Sequence, residues 1–118
     1  MSTIGWAGLA ETQEAPVAEH FAFTHYERLS GSRRVYDAQA DAERMFPPGS
    51  SVAEFERTLT ASGAKCAHGT DHDGSYSSCI YAPRRLSIVE TDWTVSAHLD
   101  SPNGAVRSVR VTRYVTGP

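Results

Sequence analysis

The chain divides by the period of its apolar positions. In "SRRVYDAQADAERMFPPG", Val35, Ala38, Ala42 and Met45 recur at spacings of three and four, which aligns them on one helix face. Alanine, glutamine, glutamate and arginine supply helix propensity there, and Pro47 stops the helix because the residue before a proline is pushed out of the helical region. "PPGSSVAEFERTLTASGAK" repeats the period with clearer ends. Ser51 followed three residues later by Glu54 is a capping box, Val52, Phe55 and Leu59 make one apolar stripe, and Gly63 stands where a helix closes through a left-handed residue. This predicts a helix over residues 51–62.

After Gly63 the period falls to two. "GSYSSCIYAP" sets Tyr76, Ser78 and Ile80 on one side and Ser77, Cys79 and Tyr81 on the other, and Pro83 ends this strand or places it at an edge. "DWTVSAHLD" alternates Trp93, Val95, Ala97 and Leu99 with Thr94, Ser96, His98 and Asp100, a strand with one wet face. "DSPNGAV" is a hairpin turn, with Asn103-Gly104 able to take positive φ. "AVRSVRVTRYV" returns with Val109 and Val111 on one side and Arg110 and Thr112 on the other. Strict alternation puts Arg107 and Arg113 on the valine side, near the strand ends, where their heads reach water.

Two helices followed by three or four antiparallel strands predict an α+β domain, its helices packed on one face of a meander sheet. The expected core joins helix 51–62 to the last two strands through Phe55, Leu59, Trp93, Val95, Leu99, Val109 and Val111. Residues 1–30 lack either period. "ETQEAPVAEH" holds three glutamates, a proline and few apolar groups, so residues 1–30 read as a poorly ordered arm and 31–118 as the single domain. Within "HFAFTHYERL", Phe21 and Phe23 share a face at strand spacing, which leaves a short strand or a docking segment as the other reading.

Composition adds limits. A chain of 118 residues with 40% hydrophobic and 21% charged residues suits one globular domain with a real core. Eleven bases against fourteen acids leave a formal charge of −3, which argues against nucleic acid or an anionic membrane surface as partner. The excess acid lies in residues 1–62, with nine acids and five bases. No apolar run has the length of a membrane span. The start, "MSTIGWAGLAETQ", lacks the basic region and long apolar stretch of a signal peptide, so the chain is either cytosolic or begins after a removed signal.

The most chemical segment is "KCAHGTDHDGSY". Cys66, His68, Asp71 and His72 offer four zinc donors on paper, but without a Cys-x-x-Cys or a second pair at ligand spacing, and "DHDG" lacks the later glutamate of a calcium loop. Cys66 and His68 lie two apart, yet no orienting third group or oxyanion site accompanies them, and no Gly-x-Ser-x-Gly elbow occurs. Aspartate, aspartate and glycine are turn formers. Pairing the strands about His72–Asp73 sets Cys66 directly opposite Cys79. That register predicts a disulfide across a hairpin, hence an oxidising compartment; two unrelated buried thiols are the alternative. No catalytic residue, metal site or cofactor is expected. A partner protein is expected instead on the outward residues of the terminal hairpin, Thr94, Ser96, His98, Arg110 and Thr112, with a plain solvated sheet face as the alternative.

One resemblance joins these motifs. "FPPGSSVAEFERTLTASGAKC", a Tyr-containing strand, and "WTVSAHLDSPNGAVRSVRV" together resemble the small outer-membrane lipoprotein family called SmpA/OmlA, or BamE-like, over roughly residues 46–117. The ending "VTRYVTGP" is similar to that of single-module bacterial proteins of this shape. The resemblance implies a non-enzymatic protein-binding module of the cell envelope or periplasm, associated with the membrane through an N-terminal anchor removed or missing from this chain. The same architecture looks like that of secreted inhibitors. The second expectation is therefore an inhibitor or immunity protein that blocks a partner enzyme, and the third a small hydrolase using His68 and His72.

Overall fold

The computed structural model describes residues 20–83 and 89–117. Helices α1 (Phe23–Glu27), α2 (Arg33–Met45) and α3 (Val52–Ala61) precede strands β1 (Lys65–Asp71), β2 (Gly74–Tyr81), β3 (Glu90–Leu99) and β4 (Val106–Thr116). The strands form one antiparallel meander in the order β1-β2-β3-β4, so the fold is α+β with its helices N-terminal to the sheet.

Local chemistry sets the helix ends. Ser51 Oγ accepts from the Glu54 N–H at 3.2 Å, the serine half of the capping box. At the other end Gly63 takes φ +105°, a backbone conformation that favours glycine, and a Cβ there would stand 3.0 Å from the Tyr81 ring, a tight contact. Ser62 Oγ donates to the Thr58 carbonyl and accepts from the Phe21 N–H at 3.0 Å, which ties the segment before α1 to the end of α3.

The inner sheet face follows from register. Cys66↔Cys79, Cys79↔Val95 and Val95↔Val111 form one cross-strand row, and Tyr81↔Trp93↔Arg113 form the next. Phe55, Leu59, Trp93, Val95, Leu99 and Val111 are buried, as the alternation predicts, and Val109 packs partly buried against them. Together these rows make the floor on which the helices lie.

Three features depart from the sequence reading. First, residues 20–30 are not part of an arm. Phe21, Phe23 and Tyr26 are each only 2% exposed, and Phe23 stacks on Tyr81 with ring centroids 4.4 Å apart. The segment is a docking segment built on a short helix. Aromatic rings bury more area per residue than any other side chain, so three of them suffice to hold it. Residues 1–19 lie outside the described residues. Second, a bulge between His98 and Leu99 shifts the register of β3 on β4, so that Leu99 faces Val106. Val106 takes the inward place, and Arg107 is exposed rather than on the valine side. Third, Arg113 does not reach out to water. Its guanidinium makes a forked contact with Glu27, Nε to Oε1 at 3.1 Å and Nη2 to Oε2 at 2.8 Å, and sits 5.9 Å from the Trp93 ring centre.

Candidate protein-binding face

The outer face of the sheet is assembled by the same alternation that buries the inner one. Its central rows are Ile80↔Thr94↔Thr112 and Ser78↔Ser96↔Arg110, followed by Tyr76↔His98↔Ser108. All five predicted binding residues, Thr94, Ser96, His98, Arg110 and Thr112, therefore share one surface. Arg110 is exposed and the other four are half-buried among neighbouring side chains. Ser78 and Ser96 hydroxyls lie 3.0 Å apart, which fixes the middle of the face.

Two apolar side chains complete this surface and were not among the predicted binding residues. Ile80 is 45% exposed and Tyr114 is 58% exposed, and they flank the Thr94–Thr112 pair. The signal for them lies in the sequence: each falls on the wet side of its alternation, where an apolar group has no core to join. Exposed apolar side chains on the same face as an arginine have the composition of a contact surface. Nδ1 of His98 and Oδ1 of Asp92 are buried on the same side of β3 and have no hydrogen-bond partner.

The segment 65–76 is the predicted hairpin. Cys66 pairs with Cys79, and their sulfurs form a disulfide. The Asp73 N–H donates to Asp71 Oδ1 at 2.8 Å, and Gly74 takes φ +112°, so aspartate and glycine make the turn as expected. Asp71, His72 and Asp73 sit exposed at its tip with donor atoms within 4.8 Å of one another. The four donors considered from sequence are not brought together: Cys66 is bonded to Cys79, and His68 turns to the inner face.

On that inner face a serine, a histidine and a carboxylate do meet. Glu56 of α3 accepts from Ser77 Oγ at 2.5 Å and also pairs with His68 Nε2. The carboxylate stands between the other two, whereas activation of a serine requires the imidazole in the middle. Ser77 is also fully buried. This cluster fastens α3 to β1 and β2. Elsewhere, burial and then the Asp41 carboxylate accepting its proton at 2.5 Å push the Tyr26 hydroxyl pKa well above the ordinary phenol value. Glu27 is held below the usual carboxylate range, chiefly by the hydrogen bonds from Arg113.

Comparison with protein-family models, with curated proteins and with solved structures returns no match for this chain.

Proposed function

We propose that this chain is a non-enzymatic protein-binding module of the bacterial cell envelope, similar in kind to the BamE-like lipoproteins, and that it binds through the outer sheet face. The observation that carries this reading is the open surface on which Ile80 and Tyr114 stand exposed beside Thr94, Thr112 and Arg110. Two apolar side chains left in water on one sheet face, which also carries an exposed arginine, favour a protein partner over a solvated face. The Cys66–Cys79 disulfide favours an oxidising compartment such as the periplasm. The inhibitor reading has its own support in the hairpin tip, where Asp71, His72 and Asp73 project from a disulfide-clamped ladder.

The test is affinity capture and cross-linking from native cell envelopes with three forms of the protein: wild type, Arg110→Glu and Tyr114→Ser. A partner enriched by wild type and lost with both variants is the expected result. A partner retained by both variants but lost on changing Asp71 and Asp73 to Asn would assign binding to the hairpin tip. A partner indifferent to all of these would move the interface to the acidic N-terminal half.

A further inference from the structure

The two edges of the sheet are treated differently. On β4 the outward backbone groups of Val106, Val109 and Val111 are already used. The Gly49 N–H donates to the Val106 carbonyl at 2.8 Å, and the Val106 N–H donates to the Ser50 carbonyl at 2.8 Å. Further along, the Gln39 side-chain amide donates to the Val109 carbonyl at 3.0 Å and accepts from the Val111 N–H at 2.7 Å, in the manner of an added strand. The loop before α3 and one residue of α2 thus block this edge.

The β1 edge carries no such cover. Its hydrogen-bond phase follows from two independent observations. The Cα atoms of Cys66 and Cys79 are 3.9 Å apart, the close spacing of a non-hydrogen-bonded pair. Counting across the ladder from Val109 and Val111, whose backbone groups face Gln39, gives the same phase. Cys66, His68 and Thr70 therefore direct their N–H and C=O groups to the free edge, and among the described residues no backbone group meets them.

We infer that β1 pairs antiparallel with β1 of a second copy of this chain, about a two-fold axis at His68. In this register Cys66 faces Thr70 of the second copy and His68 faces its counterpart, so the outward groups on one copy meet outward groups on the other. The same register puts Lys65 opposite Asp71 of the second copy, twice, both on the outer face at the close spacing where side chains interact best. Edge charges usually repel an added strand. Here their opposite signs at equal distances from His68 turn them into an attraction for this one partner, whereas a parallel pairing would set lysine against lysine. Ala67 and Gly69 stand between the charged ends on that face, and the Tyr76 ring of the same copy lies over Gly69. Each His68 keeps the contact with its own Glu56 on the inner side. The two four-stranded sheets join into one of eight strands, and the interface is isologous.

Sedimentation equilibrium of the oxidised wild-type protein tests this, together with amide hydrogen exchange. The expected result is a concentration-dependent dimer in which the Cys66, His68 and Thr70 amides are protected. Lys65→Glu places like charges together at both ends and weakens the dimer by about tenfold or more. Asp71→Asn, which keeps the acceptor for the Asp73 N–H, weakens it less. Combining Lys65→Glu with Asp71→Lys restores it. A single monomeric species up to the millimolar range overturns the inference. So does a dimer whose strength ignores the Lys65 and Asp71 changes, or protection of those amides only when a different protein is added. The dimer and its response to the Lys65 and Asp71 changes are read on the purified chain alone, so they stand or fall apart from the envelope partner.

Discussion

At the scale of residues, the Glu27 contact shows how one side chain can join distant parts of the chain. Its carboxylate accepts from Trp93 Nε1 at 2.9 Å and from both arms of Arg113, so the short helix α1 is fastened to β3 and β4 at once. The carboxyl pKa is lowered in the folded protein, so folding favours the ionised form. Stability from this contact is present above the unfolded carboxyl pKa, and is lost as pH falls through the lower folded value. Glu27→Gln should therefore cost about 1 kcal/mol at neutral pH, a modest figure because the carboxylate is partly exposed and screened. The difference in urea midpoint between wild type and Glu27→Gln should narrow as pH is taken from 7 toward 3. A gap that stays constant would show that the charge is not what Arg113 recognises. No sequence period could have found this contact. Glu27 and Arg113 lie 86 positions apart, and each reads alone as a solvated charge.

At the scale of elements, what was legible is what is encoded locally. The Ser51–Glu54 cap, the stripe of Val52, Phe55 and Leu59, and the turn at Asp71–Gly74 each lie within a few residues of their cause. The cross-hairpin register came out the same way, because a turn centred on His72–Asp73, rather than on Asp73–Gly74, sets the two cysteines directly opposite. Residues 20–30 were misread for the opposite reason. Phe21 and Phe23 stand at strand spacing and Phe23 and Tyr26 at helical spacing, too short a run to fix either, and their burial depends on Tyr81 and Trp93 far along the chain. The bulge at His98/Leu99 was equally invisible, since one extra residue in a strand leaves the alternation on each side intact. Two predictions belong here. Phe55, fully buried and 5.0 Å from the Phe46 ring centre, should lose about 3–5 kcal/mol as Phe55→Ala, read as a drop in the urea midpoint; an unchanged midpoint would contradict its place in the core. Replacing Cys66 and Cys79 by serine should cost about 3 kcal/mol, because the bond closes a loop of moderate length in the unfolded chain. A thiol assay on the denatured, non-reduced protein should find no reactive cysteine.

At the scale of the whole molecule, the five predicted binding residues could be found on one surface because a single alternation governs both β3 and β4. The sheet edges could not be read in that way, since an edge exists only once every strand has its neighbours. Its control at β4 rests heavily on one residue. Gln39 lies in the middle of α2, on a face the helical period does not mark, and its amide satisfies a donor and an acceptor of a strand 72 positions away at most. Gln39→Leu keeps the helix and much of the volume but leaves the Val111 N–H and the Val109 carbonyl without partners. The loss should be about 2 kcal/mol in the urea midpoint, from two hydrogen bonds with part of the cost of burying what they satisfied. A second effect should follow from geometry. With β1 joined to a second copy, both β4 edges lie at the outer ends of the joined sheet, and losing Gln39 uncovers the Val109–Val111 stretch at both ends. Light scattering should then rise with concentration in Gln39→Leu, and the rise should fall when Lys65→Glu is added, because the paired unit no longer forms. A variant that loses stability but scatters no more than wild type would show that the loop at Gly49–Ser50 closes the edge by itself.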